Sequence, residues 1–422
     1  MLKIKGGVGS YFLNDTLFIV FLLMLFNYCL YPQSNEKNIK DGLVNDLVKS
    51  GYENVGVAVK DGDLIVMYEN RLYRFELDAL KDIVKIIDNY AENFQNILLV
   101  PQNRQIPLLV VKINSSDLRA YCKNDLTPKE FGDRLNINLD TDEIKSFLQN
   151  EEIHNSSVAR TDITLKPSFQ FQFGPYSDPV LWQFNLVPGI RTSFWKGMHF
   201  DYEAYIPLHN DLSPREDSVR TGLAVINQTF RLPNNYFIST SAGYFTGYRY
   251  GFDFESRKYF DNGNSYLNFN FGCTSFATFA GTRLYYSDQF LWTVNANFNY
   301  RIPEYDLTLG VMAGKFLSGD ESIRFDINRE FGEIEIGFFA IRSREGVSNG
   351  GINITIPLFP SKYWKPSVLR IRPDENFAFS YLVKTSPKDI IGLRYNTGNR
   401  LDNFDKKLNP DFIKNVFRED FK

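Results

Sequence analysis

Few residues in this chain have a type and spacing that could do chemistry. Two carboxylate pairs stand at i, i+2: Asp201 with Glu203 and Glu333 with Glu335. On a strand that spacing puts both groups on one face. A glycosidase uses two such carboxylates, but a solvated face or the polar wall of a lumen carries the same pattern. The three histidines, His154, His199 and His209, form no HExxH and have no cysteine at ligand spacing. His199, between Met198 and Phe200 on an alternating strand, reads as a lumen-facing or loop imidazole. GVMAGK (310–315) resembles a phosphate loop, yet it lacks the full glycine spacing and a Ser or Thr after Lys315, and it lies within a strand. The GxSxG spacing occurs once, at GVSNG (346–350), but in a connection between two strands and not at the strand-to-helix turn that a nucleophile elbow needs. Cys29, Cys122 and Cys273 make no CxxC, which argues against a disulfide framework or a zinc site. The expectation is a protein with no catalytic residue, no metal and no cofactor.

The bulk composition points the same way. With 422 residues and a formal net charge of −3, the chain has no electrostatic footprint for nucleic acid. It holds 38 Phe and 24 Tyr, so aromatics reach 16%, while mean hydropathy is only −0.28. Many rings in a chain that is polar on average suggest strands apolar on one face. Residues 1–34 read as a signal peptide: Lys3 and Lys5 precede an apolar run, Leu17 to Leu25, too short to span a bilayer comfortably. The alternative is a short anchor helix that is never cleaved. Cys29 follows Asn27 and Tyr28, where a lipoprotein signal wants small residues, so lipidation there is not expected.

Two regions follow. Residues 38–114 form a small α/β domain. A helix over 38–52 carries Ile39, Leu43, Leu47 and Val48 on one stripe and stops at Gly51. Strands at 55–60 and 64–70 flank Asp61-Gly62-Asp63. A helix over 76–94 shares Leu77, Leu80, Val84, Ile87 and Ala91, and two more strands follow. Residues 115–160 are polar and irregular and read as a linker.

From 161 to 400 the helical period vanishes, and about fourteen strands (12–16) can be marked from the alternation of side chains. FLWTVNANFNYRI (290–302) is the clearest: Phe290, Trp292, Val294, Ala296, Phe298 and Tyr300 alternate with Thr293, Asn295, Asn297, Asn299 and Arg301. Period two alone leaves the apolar face to a soluble sandwich core or to lipid. Asn268, Asn270, Asn295, Asn297 and Asn299 on the polar face suit a barrel lumen, and rings gather near strand ends as in an aromatic girdle. Strands of mostly nine to thirteen residues fit a tilted crossing. The predicted fold is mainly β: a small periplasmic α/β domain, then a C-terminal transmembrane antiparallel β-barrel, then a tail over 401–422.

The stretch MAGKFLSGDESIRFDINREFGEIEIGFFA, with SNGGINITIPL (348–358), resembles the C-terminal signature of the YjbH-like family of outer-membrane proteins. Gly314, Phe316, Gly319, Asp320, Arg329, Phe331, Gly337, Phe339, Gly351, Ile352, Ile356, Pro357 and Leu358 fall at the signature's places. LRIRPDENFAFSYL (369–382) and the module around GYENVGVAVKDGDLIVMYE are also similar to that family. The usual opening rich in Gly and Pro is not visible. These motifs are structural, so the resemblance implies location and process: a non-enzymatic bacterial outer-membrane component of exopolysaccharide or capsule biosynthesis or export. Implied partners are outer-membrane lipid, polysaccharide and periplasmic or lipoprotein export proteins. The Asn ladder from 268 to 299 could line a glycan path or only fill a plugged lumen. Two other classes stay open: a barrel enzyme acting on glycan or lipid, and a secreted structural or adhesive β-protein.

Overall fold

The computed structural model describes residues 36–142, 144, 151–173, 179–280, 283–365, 368–384, 390–398, 401 and 409–418. The signal-peptide region and Cys29 lie outside them.

The N-terminal module starts with helix α1 (36–50). Gly51, at φ +106, ends it, with its N–H donating to the Leu47 and Val48 carbonyls. Strands β1 (Glu53–Lys60) and β2 (Asp63–Glu69) pair across a turn in which Asp61 and Gly62 take positive φ. Helix α2 (Glu76–Ile87) buries Leu77, Leu80, Ile83, Val84 and Ile87; the expected helix stops seven residues short of 94. Strands β3 (Asn96–Asn103), β4 (Ile106–Pro107) and β5 (Val110–Asn114) follow. The stretch read as linker is in part folded into this module. Helices α3 (Ser115–Cys122) and α4 (Pro128–Arg134) bury Leu118 and Phe131, α4 starting on a Thr127–Glu130 capping box. Strand β6 (Asn136–Asn138) extends the sheet, whose order is β1-β2-β3-β5-β6 with β4 on β3. Single apolar residues spaced among polar ones gave these short elements no period to read.

The second region is one large sheet. Its strands are β7 (Thr161–Phe173), β8 (Val180–Trp195), β9 (Met198–Asn210), β10 (Arg220–Leu232), β11 (Tyr236–Phe245) and β12 (Arg249–Phe260). Then come β13 (Ser265–Ala280), β14 (Arg283–Tyr286), β15 (Leu291–Ile302), β16 (Leu307–Lys315), β17 (Glu321–Phe331), β18 (Ile334–Ser343), β19 (Ser348–Pro357), β20 (Leu369–Pro373) and β21 (Asn376–Lys384). That makes 15 strands, against about fourteen expected. From β7 to β19 each pairs antiparallel with its successor, β14 standing aside on β13. β19 pairs with β21, while β20 pairs in parallel with β7. Only Asp374 and Glu375 separate β20 from β21, so one run of chain touches both ends of the sheet.

Burial in this sheet is inverted. On β15, Trp292 is 54% and Phe298 47% exposed, while Asn295 and Arg301 on the opposite face are 6%. Neither apolar ring is sealed between stacked sheets. The ring pattern at strand ends is mixed: Trp195 and Tyr286 are exposed, whereas Tyr259 is buried beside Phe237.

The module sits against one end of the sheet, where the β8–β9, β10–β11, β12–β13 and β17–β18 turns lie. Gly197 donates to the Arg104 carbonyl (2.9 Å), Asn262 to that of Ile137 (3.0 Å), and Arg231 to those of Pro107 and Leu108 (both 2.7 Å). Within the expected tail, helix α5 (Pro410–Arg418) drives Phe412, Val416 and Phe417 into the module's core. Phe417 meets Phe131 edge-on, and Phe412 meets Phe75. A nine-residue amphipathic segment with no partner nearby in sequence gave no sign of this docking. Residues 390–398, inside the region read as strands, are irregular and lie against the sheet's inner face.

Phe417→Ala is expected to lower stability by about 3–5 kcal/mol, read as a drop in unfolding midpoint. Burial pushes the Cys122 thiol up to about 11. At pH 8 its alkylation by iodoacetamide is expected to be slower than that of a free cysteine by on the order of 100-fold, measured by mass spectrometry.

Candidate functional site

The inner face of the large sheet concentrates the polar chemistry. Alternation along each strand turns every second residue inward, and these positions carry guanidinium and carboxylate groups set against each other. On β12 they are Asp253, Glu255 and Arg257. Arg257 has no solvent exposure. Its Nη2 lies 3.0 Å from Glu255, its Nε donates to Asn268 Oδ1 (3.1 Å), and its guanidinium lies 4.2 Å from the Tyr266 ring centre. On β17, Arg324 pairs with Asp326 at 2.6 Å and covers the Phe339 ring.

Residues 390–398 cross this interior. Tyr395 donates to Asp253 Oδ2 (2.6 Å) and stacks on Phe245 at 5.2 Å. Gly272 makes room for it, since a Cβ there would collide with the Tyr395 hydroxyl. The Gly392 N–H donates to Asp320 Oδ2 (2.9 Å), Leu317 donates to the Leu393 carbonyl (3.0 Å), and Thr246 donates to that of Asn396 (3.1 Å). The crossing segment contributes to the walls of two cavities. One, of about 500 Å³, reaches from the module's Arg71 and Arg104 to Lys166, Glu203, Asn376 and Asn396. The other, of about 270 Å³, is lined by Asn264, Asn297, Asn299, Asn328, Asn353 and Arg394.

The expected asparagines thus divide. Asn268 and Asn270 fill space structurally, with Asn270 donating to both Asp253 oxygens (3.1 and 3.2 Å). Asn295, with Asn270, borders a narrow gap beside Tyr395. Asn297 and Asn299 line the 270 Å³ cavity. Among the signature residues, Asp320 anchors the crossing segment, and Gly319 forms its turn at φ +85. At Gly314 a Cβ would strike the Val294 carbonyl, and at Gly351 the Phe339 ring. Arg329 lies over Phe331 on the outer face, and Pro357 pairs with Asn376.

The carboxylate pairs are engaged. Glu203 meets Lys166 at 2.7 Å, and Arg191 lies 3.7 Å from Asp201 and grips Asp374 at 2.9 and 3.1 Å. Glu333 takes a two-pronged pair from the module's Arg74 at 2.8 and 2.6 Å. That hydrogen bond raises the Arg74 pKa above its ordinary value, with burial opposing. Glu335 lines both large cavities. His199 lies inward with its Nε2 2.8 Å from Arg104. Burial pulls the Arg104 guanidinium down to about 10, against the attraction of Asp201. A further knot joins module to sheet: Glu53 pairs with Arg160 and Arg370, and Asp162 with Arg370 and Arg372. Sequence reading missed Arg74, Arg257, Arg324 and Tyr395. Charged residues at alternate places on β12 (Asp253, Glu255, Arg257) were the available signal.

Fold and interior together define a mainly β protein on one large sheet, antiparallel except where β20 meets β7, polar on its inner face and apolar on its outer. Residues 28–225 match the model of the YjbH family, described as exopolysaccharide biosynthesis protein YbjH. The match covers the module and the strands through β9, ends within the first half of β10, and stops before the signature stretch at 312–358. No curated protein is similar to this chain. Among solved structures, the OmpTdeltaL8 loop-deletion mutant of OmpT, an outer membrane protein of Vibrio cholerae, is similar at 8% identity. The likeness covers 46% of this chain and 85% of that one with a TM-score of 0.26, too slight to weigh.

Asn270→Ala is expected to cost about 1–3 kcal/mol, since Asp253 loses a buried donor. Asn297→Ala, at a cavity wall, is expected to stay within about 0.5 kcal/mol of the parent. Unfolding by denaturant checks both.

Proposed function

We propose that the protein is a non-enzymatic bacterial outer-membrane β-barrel serving exopolysaccharide biosynthesis or export, with its α/β module in the periplasm. The observation that carries this is the inverted burial of the sheet, outward Trp292, Val294, Phe298 and Tyr300 against inward Asn295, Asn299 and Arg301. In water an exposed apolar face that wide is a liability; against acyl tails it is the favoured arrangement. In hydrocarbon each unpaired backbone group costs several kcal/mol, so a spanning sheet must close on itself. The pairing of β20 with β7 and of β21 with β19 supports closure. The short turns gathered at the module's end match the usual periplasmic side of such barrels.

The family's description supports exopolysaccharide as the process. An interior of Asn, Arg and carboxylate side chains matches sugar hydroxyls without needing a nucleophile. Asp201, Glu203 and Glu333 are held in ion pairs, which favours a structural over a hydrolytic role. Lipid contacts the outer face; polysaccharide and periplasmic or lipoprotein export proteins are the proposed partners.

Two measurements test the reading. The protein is expected in the outer-membrane fraction, with gel mobility that changes on boiling; a soluble fraction with unchanged mobility overturns the barrel. Deleting the gene is expected to lower surface polysaccharide, with Glu335→Gln restoring it as well as the parent does. Normal polysaccharide in the deletion strain overturns the process, and failure of Glu335→Gln to restore it favours an enzyme.

A further inference from the structure

Where the two ends of the sheet meet, hydrogen bonding covers only part of the length. β20 pairs in parallel with Thr161–Leu165, and Asp374 donates to the Leu165 carbonyl (3.0 Å). Beyond that point, residues 166–173 of β7 pair with β8 alone, and β21 pairs with β19 alone. Among the described residues no backbone hydrogen bond joins β7 to β21. Rings span the gap instead. Phe171 stacks on Phe379 (5.3 Å, 11°) and on Tyr381 (4.9 Å, 15°). Phe169 lies 6.3 Å from Phe379, and Phe173 meets Tyr381 edge-on at 5.7 Å.

The two faces of this seam differ. Phe169, Phe171, Phe173, Phe379 and Tyr381 share the outward parity of β7 and β21, while Ser168, Gln170, Gln172, Asn376, Ala378 and Ser380 take the inward one. Directly behind, Lys166, Asn376 and Ala378 line the 500 Å³ cavity. A ladder of hydrogen bonds fixes strands in register, whereas stacked rings part without breaking any. Unpaired backbone facing hydrocarbon is tolerated only where it borders a wet cavity or is covered, and this seam has both.

We propose that the β7–β21 seam is a lateral portal, and that its occupant is the acyl chain of a lipid from the surrounding bilayer, with the polar head in the 500 Å³ cavity. The inference rests on the barrel reading above. A free sugar would need no ring-lined opening toward acyl tails. A lipid needs both halves, an apolar gap in the wall and a charged chamber behind it, where Lys166 and Arg191 stand beside Glu203 and Asp374.

A benzophenone-bearing residue placed singly at Ala378, Phe338 and Asn297 in the full-length protein, irradiated in native outer membrane, tests this by mass spectrometry of captured lipid. Phe338 is outward on the wall and Asn297 is inward at the other cavity. Capture at Phe338 and Ala378 but not at Asn297 is the expected result. No capture at Phe338 overturns the barrel reading itself. Capture at Phe338 without capture at Ala378 overturns the portal alone, as does equal capture at Asn297, which would place lipid throughout the interior. In a Ser168→Cys/Asn376→Cys variant, an oxidised cross-link is expected to remove capture at Ala378 and reduction to restore it. Unchanged capture with the cross-link formed overturns opening at the seam.

Discussion

A β-strand presents two faces, and in the large sheet the polar face is the covered one. That constraint organises the rest. Guanidinium and carboxylate groups turned inward lose water, so each must meet an opposite charge or an amide. Arg257 is served by Glu255, Asn268 and two tyrosine rings, and Arg191 by Asp374 and Asp201. Removing one partner strands the other, and this makes the interior a network rather than a set of separable pairs.

The module is bound into the same network. Arg74 and Arg104 reach from the module to Glu333 and His199, and Arg160 and Arg370 reach from the sheet region to Glu53. The C-terminal segment ties the parts a second time: Tyr395 is held by Asp253 on β12, and α5, which starts at Pro410, lies in the module's core.

Period two is a local property, so the strands from β7 to β19 were legible from side-chain alternation alone, as was the face on which Asn268 to Asn299 stand. What each asparagine does was not legible. Asn270 and Asn297 look alike in sequence, but strand register sets Asn270 against Asp253 and leaves Asn297 at a cavity wall. Distant pairings were hidden for the same reason: nothing near Arg74 announces Glu333, and nothing in PDFIKNVFR announces Phe131. Short elements such as α3, α4 and β6 escaped because one large buried apolar side chain apiece, Leu118, Phe131 or Ile137, sets no period.

The direction of β20 has a topological consequence. Because it runs parallel to β7 while the strands between alternate, the sheet contains an odd number of passes. An odd count delivers the chain, after its last pass, to the end opposite the one where it began. To bring α5 home the polypeptide must travel back, and with the outside given to apolar contact the interior is the polar route. Residues 390–398 are then a requirement of parity: an even-stranded relative could end beside the module and leave its interior empty.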